Sequence, residues 1–160
     1  MSLAASFLVL FLAPGCGDES PAPGARATAY ELKVYKVWAS DGEEKPLPKD
    51  LEPIHKQLKK FSRKKSFRLD EKPFTATLRS EKPVVVKLPD GYEARWTLET
   101  GARGVVSIRQ ALVNPKKEES KYFLKKSPVL TEIRKLEKGG ESFYLVVEFK
   151  PAEQAPEKRG

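Results

Sequence analysis

Two hydrophobic periodicities divide the chain. Most of it alternates with period two, as half-buried strands do, and one stretch repeats with helical spacing. Tyr30, Leu32 and Val34 have charged residues between them, so a strand is predicted from about residue 30 to 38. Asp41-Gly42 and Pro46-Leu47-Pro48 end it. Leu51, Ile54, Leu58 and Phe61 then fall at i, i+3, i+7 and i+10, one face of a helix. Asp50 is placed to cap that helix, and Pro53 is tolerated in a first turn, where its missing N–H leaves no bond unmade.

Beyond the helix the alternation returns. Phe67 and Leu69 share a face, as do Phe74, Ala76 and Leu78. The apolar run from Val84 to Leu88 stops at Pro89-Asp90-Gly91, after which Tyr92, Ala94, Trp96 and Leu98 alternate with Glu93, Arg95 and Thr97. Asp90-Gly91 supplies the positive φ angles of a tight turn and predicts a hairpin. Gly101 to Gly104 reads as another turn, Val105 to Leu112 as a strand, and Asn114 to Lys121 as a charged loop. Tyr122 to Leu124, Leu130 to Leu136 and Phe143 to Phe149 complete the set, the last two joined across Lys138-Gly139-Gly140-Glu141. The expected fold is mainly β (α+β): an antiparallel β-sandwich or open barrel of about eight strands. One amphipathic helix near the N-terminus would cover an edge or end. No internal repeat is evident.

The start of the chain follows neither period. Leu3 to Ala13 is an uncharged apolar run, followed by Pro14, Gly15 and the sole cysteine, Cys16. The run is shorter than the ~20 residues a membrane-spanning helix needs and has the length of a signal-peptide core. It resembles a bacterial lipoprotein signal, in which the cysteine after a small residue is acylated and becomes the new N-terminus. Ala13 stands where that pattern has leucine, and no Lys or Arg precedes the run. The resemblance implies export and a membrane anchor at Cys16; plain secretion after cleavage, or an uncleaved apolar N-terminus, are the alternatives. The expected organisation of the 160 residues is a signal over 1–15, a flexible Gly/Pro/Ser/Ala-rich tether over 16–28, a β-rich domain over 29–150 and a disordered tail over 151–160. A domain of this size buries enough surface to need no disulfide or metal, and a single cysteine allows no intrachain disulfide.

The chemical inventory mostly excludes. His55 is the sole histidine and lies off the apolar stripe, as a solvated helix residue would. One His and one Cys rule out a Cys/His metal site, and nothing suggests a Ser-His-Asp triad around His55. Ser62-Arg63-Lys64-Lys65 has the form Ser-x-x-Lys by chance in a lysine-rich stretch, without its companion motifs. No helix follows Gly101-Ala102-Arg103-Gly104 to make it a phosphate loop. The carboxylate pairs Glu43-Glu44 and Glu118-Glu119 lie in loops. No catalytic residue, cofactor or metal is expected, and an enzyme with an unfamiliar site is the remote alternative.

Charge changes the picture most. Charged residues make up 32% of the chain, the formal net charge is +8 and the pI is near 9.5. Lys56, Lys59, Lys60, Arg63, Lys64, Lys65 and Arg68 form one basic cluster without an acid among them. Lys116, Lys117, Lys121, Lys125 and Lys126 form a second. Such clusters bind polyanions or anionic headgroups, or simply keep a face soluble and discourage strand edges from pairing. Nucleic acid is not an expected partner of an exported chain without a binding motif. Trp38, Tyr92 and Trp96 lie at alternating strand positions and are expected in the core rather than on a ligand platform.

The helix Leu51-x-x-Ile54-x-x-x-Leu58-Lys59-x-Phe61, the strand Phe67-x-Leu69 and the segment Val84-Val85-Val86-Lys87-Leu88-Pro89-Asp90-Gly91-Tyr92 together resemble small uncharacterised exported proteins of myxobacteria-like Gram-negative bacteria. The likeness covers about half the chain and implies no activity. The expected function is a non-enzymatic lipoprotein of the bacterial envelope, anchored through Cys16 at a periplasmic face or the outer membrane and binding an unknown envelope protein or anionic polymer. A secreted soluble form is the alternative location. A polyanion-binding module built on the Lys56–Arg68 and Lys116–Lys126 clusters is the alternative function.

Overall fold

The computed structural model describes residues 29–80, 82–101 and 105–152. The signal and anchor expected over 1–28, including Cys16, lie outside them, as do 81, 102–104 and 153–160. Nine strands form among the described residues: β1 (Ala29–Ser40), β2 (Ser66–Leu69), β3 (Phe74–Arg79), β4 (Val84–Lys87), β5 (Glu93–Thr100), β6 (Val106–Val113), β7 (Glu119–Leu124), β8 (Val129–Glu132) and β9 (Ser142–Pro151). A single α-helix, α1 (His55–Phe61), lies between β1 and β2. The protein is therefore mainly β, as expected. The helix does not open the fold but follows its first strand.

All strand pairings are antiparallel and fall into two sheets. The first has the order β2-β1-β9-β8, with β3 also on β1; the second has the order β4-β5-β6-β7. β1 is the axis of the first sheet, paired along its length with β9 from Tyr30↔Pro151 to Ala39↔Ser142. Its other edge takes β3 along Ala29–Val34 and β2 along Val37–Ser40.

Alternation along the strands decides the layering. Leu32, Val34 and Trp38 of β1 and Phe143, Leu145 and Val147 of β9 share one core with Val86, Ala94, Trp96, Leu98, Ile108 and Leu124 of the second sheet. The two sheets thus meet face to face, as in a sandwich. Tyr35, Val37 and Ala39 point the other way and pack with Leu51, Ile54, Leu58 and Phe67 in a separate core. The helix therefore covers a face of the first sheet, and not the edge or end expected of it. Double coverage also explains why the second half of β1 loses the half-buried alternation of the first, with Val34 to Ala39 buried without a break.

The helix is assembled locally in two pieces. A 3-10 stretch over Lys49–Ile54 holds Pro53 and runs into α1. Asp50 caps nothing, because the Pro48 carbonyl already accepts the Leu51 N–H at 2.8 Å and Asp50 sits inside the turn. Seven residues are too few for a helix stable on its own. Its hold is the packing of the fully buried Leu51, Ile54 and Leu58, and truncating any of these to Ala costs about 2–5 kcal/mol. Phe61, expected on that stripe, is 63% exposed: the helix ends there and Ser62 turns to extended backbone before the ring reaches the sheet.

Both predicted hairpins form. Asp90 and Gly91 take φ of 56° and 76°, and the Leu88 N–H donates to the Tyr92 carbonyl at 2.8 Å, closing a loop one residue longer than a two-residue turn. Gly139 and Gly140 take φ of 56° and 82° between Lys138 and Glu141, which exchange both backbone bonds. The strand expected from Leu130 to Leu136 stops at Glu132, and a 3-10 turn at Arg134–Leu136 follows.

Candidate functional site

The cations of the first cluster divide according to whether an acid lies across from them. Chain exit from α1 is fixed by Ser62, whose N–H donates to the Leu58 carbonyl at 2.8 Å and whose Oγ accepts the Lys64 N–H at 3.2 Å. Ser62 is buried, so this hydroxyl shapes a turn. The Lys65 N–H then donates to the Ser40 carbonyl at 3.0 Å and starts β2 beside the far end of β1.

Three cations of this stretch stitch neighbouring loops. Lys59 pairs with Glu44 at 3.3 Å, Lys64 with Asp41 at 2.6 Å, and Arg68 with Glu141 through two bonds of 2.7 and 3.2 Å. Hydrogen bonding to Asp41 pushes the Lys64 ammonium up from its ordinary value. The Arg68–Glu141 fork pushes the guanidinium up and holds the Glu141 carboxyl below its ordinary value. Arg68 also lies over the Trp38 ring, 5.4 Å from its centroid. Lys56, Lys60, Arg63 and Lys65 are exposed and form no ion pair among the described residues. These four are the part of the cluster free to meet an outside anion. Lys60 lies 5.9 Å from the ring of the exposed Phe61.

His55 is half-buried on α1 and meets Phe67 edge-on, at 6.3 Å between ring centroids. The two rings line a cleft of about 370 Å³ with Glu44, Lys45, Leu47 and Lys65. The histidine is thus less solvated than its place off the apolar stripe suggests, and Lys65 brings one of the free cations to its side.

The second cluster is not one surface. Lys116 and Lys117 sit in the turn before β7, Lys121 lies on it, and Lys125 and Lys126 follow it. Six extended residues put about 20 Å between the two ends of the cluster. Lys121 pairs with Glu119 at 3.1 Å. β7 is an edge strand exposing Tyr122 and Phe123, and lysines along such an edge oppose pairing with another chain. Glu118 is held by Asn114, whose amide donates to its carboxylate at 2.6 Å, and Glu119 also pairs with Arg95 at 3.5 Å.

Two of the three singled-out aromatics are core. Trp96 is fully buried; Trp38 is buried, stacks edge-on with Phe143 at 4.9 Å and donates its indole N–H to Asp70 at 3.0 Å. Tyr92 is half-buried and joins Tyr122, Glu118, Glu132 and Arg134 around an open cleft of about 310 Å³. That cleft has no trace in the sequence, because β5, β7 and the chain after β8 meet only through the packing of the two sheets. A further cleft of about 410 Å³ lies on the first sheet's outer face, beside Glu31, Lys33, Ser127 and Glu148. There the Tyr35 hydroxyl donates to Glu148 at 2.5 Å, and burial with that bond pushes its pKa up.

Among the described residues no three His, Cys, Asp or Glu side chains gather as a metal site would require, and no helix is long and apolar enough to cross a membrane. The chain matches no family model, no curated protein and no solved structure.

Proposed function

We propose that the protein is a non-enzymatic lipoprotein of the bacterial envelope: a two-sheet binding domain held on a membrane through an acylated Cys16. The observation that carries this reading is the uncharged run Leu3–Ala13, broken by Pro14-Gly15 and closed by the chain's one cysteine a short segment ahead of β1. Several acyl chains at about 0.8 kcal/mol per buried methylene hold a protein on a bilayer stably. Metabolic labelling with a palmitate analogue tests it. Label should enter the parent chain, vanish in Cys16→Ser, and leave that variant in the soluble fraction. Label that survives Cys16→Ser, or its absence from the parent, rejects the anchor.

A second reading is favoured by the four free cations around α1: a polyanion-binding surface of Lys56, Lys60, Arg63 and Lys65. Such binding weakens as salt shortens the screening length from about 10 Å at 0.1 M to about 3 Å at 1 M. The parent should be held on immobilised heparin at low salt, and a variant with all four changed to Gln should elute earlier. Failure of the parent to bind at low salt removes this reading and leaves the anchor untouched.

A further inference from the structure

Both ends of the fold carry matched cations, Glu31 taking Lys150 and Glu99 taking Arg109 near the start of β1. Both also carry exposed cations without an ion pair among the described residues, Lys116 and Lys117 lying at the far end before β7. At the end where β1 finishes, Asp41, Glu44, Asp90 and Glu141 each take a Lys or Arg. The opposite end is where β1 begins. Ala29 pairs with Arg79 at the close of β3, and Pro151 lies beside Tyr30. The connection from β3 to β4 crosses between the sheets here. So does the connection from β7 to β8, since Leu124 lies opposite Ile108 near the start of β6 and the Phe149 N–H donates to Ser127 Oγ at 2.8 Å. Arg79, Lys82, Lys125 and Lys126 therefore collect at the end from which residues 1–28 depart. All four are exposed, and none forms an ion pair among the described residues. Val105, 64% exposed, stands between β5 and β6 at the same end. By sequence, Glu81 and Arg103 in the same connections add one charge of each sign and leave the balance positive.

We infer that this end is the membrane-facing pole of the domain and that Arg79, Lys82, Lys125 and Lys126 rest on anionic lipid headgroups. The inference rests on the anchored reading proposed above. Residues 17–28, at no more than about 3.5 Å each, reach about 40 Å fully extended. β1, twelve residues long, carries the fold about 40 Å further to its other end. An anchor at Cys16 thus favours the Ala29 pole at the bilayer, and the cations around α1 meet it only if the domain lies on its side or inverts on a fully extended connection. The near pole has the charge that an anionic surface attracts and an exposed apolar residue at its rim.

Vesicle flotation of the full chain, carrying Cys16→Ser so that no acylation contributes, tests the inference separately from the anchor. Every variant keeps residues 1–28, so differences between variants report the domain alone. Vesicles are phosphatidylcholine, or phosphatidylcholine with phosphatidylglycerol. The parent should partition more strongly onto the phosphatidylglycerol vesicles, and raised salt should remove the difference. Each near-surface cation multiplies partitioning about fivefold. Joint Arg79→Gln, Lys82→Gln, Lys125→Gln and Lys126→Gln should therefore lower it by about a hundredfold or more on the anionic vesicles and leave neutral ones unchanged. Joint Lys56→Gln, Lys60→Gln, Arg63→Gln and Lys65→Gln should lower it on the anionic vesicles far less than the pole variant does and leave neutral ones unchanged. No preference of the parent for anionic vesicles overturns the inference, and so does loss of binding in the α1 variant alone. All eight side chains are exposed, and matching circular dichroism and melting of the variants exclude unfolding as the cause. Absence of palmitate label from the unsubstituted chain, with vesicle binding retained, would reject the anchor and leave the lipid-binding pole standing.

Discussion

Among the described residues, the core between the sheets contains one polar side chain with no access to water, and substituting it tests how the two layers are joined. Gln110 is 0% exposed, on the inner face of β6 and directly opposite Trp96 of β5. Its carbonyl oxygen accepts the indole N–H at 2.9 Å, and its amide donates to the Thr131 hydroxyl on β8 at 3.2 Å. One side chain thus satisfies the largest buried aromatic in the second sheet and bonds across to the first. Gln110→Met keeps the length of the side chain and removes both bonds. Thr131 is half-buried and can turn its hydroxyl toward water, so its loss is small. Trp96 is fully buried, so its N–H stays stranded at about 1–3 kcal/mol. The expected cost of Gln110→Met is about 2 kcal/mol, and Gln110→Ala adds a cavity and costs about 3–5 kcal/mol.

Urea unfolding followed by circular dichroism measures both, provided the slope m stays constant across variants. A double-mutant cycle isolates the bond. Trp96→Phe removes the stranded donor, so the double variant Trp96→Phe/Gln110→Met should be more stable than the summed single costs by about 1–2 kcal/mol. A Gln110→Met cost below about 0.5 kcal/mol, or a coupling indistinguishable from zero, would refute the claim that this bond holds the indole in place.

Two further outcomes follow from the charged side chains. Lys36 is 6% exposed on the inner side of β1, donating to the Lys87 carbonyl at 3.2 Å and pairing with the exposed Glu71 at 2.8 Å. Lys36→Met should be neutral within about 1 kcal/mol, whereas Glu71→Ala strands the ammonium and should cost about 1–3 kcal/mol; urea midpoints in the reverse order would refute this. Glu141 has its folded pKa depressed below the ordinary 4.5 by Arg68. Its stabilising contribution is therefore present above that value and is lost as pH falls through the folded one. Arg68→Gln should cost at most about 1 kcal/mol at neutral pH, the pair being largely exposed. The gap to the parent should stay flat between about pH 6 and 8 and close in acid, and a gap that widens on acidification in a pH series of midpoints would contradict the sign.

What the sequence made legible was local. Tyr92, Ala94, Trp96 and Leu98 alternate in the chain and in the structure, because one face of β5 meets the core and the other does not. Asp90-Gly91 and Gly139-Gly140 announce their turns, because few residues take positive φ cheaply. The long-range decisions were not legible. Which face α1 covers depends on β1 pairing with β9, more than a hundred residues away, and that coverage buries Tyr35 and Val37 as deeply as Leu32 and Val34. Lys36 reads as a surface residue of an alternating strand, yet its stem runs through the core to reach Lys87. Phe61 continues the apolar spacing of the helix but lies past the point where the helix still faces the sheet.

The basic clusters show the same limit for function. Sequence proximity grouped Lys116 with Lys126, but an antiparallel strand delivers its ends to opposite poles, so the group divides. Sequence distance separated Arg79 and Lys82 from Lys125 and Lys126, but both sets belong to crossings between the same two sheets and end at one pole. The useful unit is thus the pole, and the presence or absence of a facing acid tells structural cations from free ones. By that measure the free cations among the described residues include one group around Lys56, Lys60, Arg63 and Lys65 and one where residues 1–28 join the fold, with Lys116 and Lys117 apart from both before β7. For a domain anchored through Cys16 the two groups meet different surroundings, lipid at the near pole and the aqueous compartment at the far one. A lipid-facing pole and a polyanion-binding helix face are then compatible in one molecule, and the two sets of four glutamine substitutions separate them.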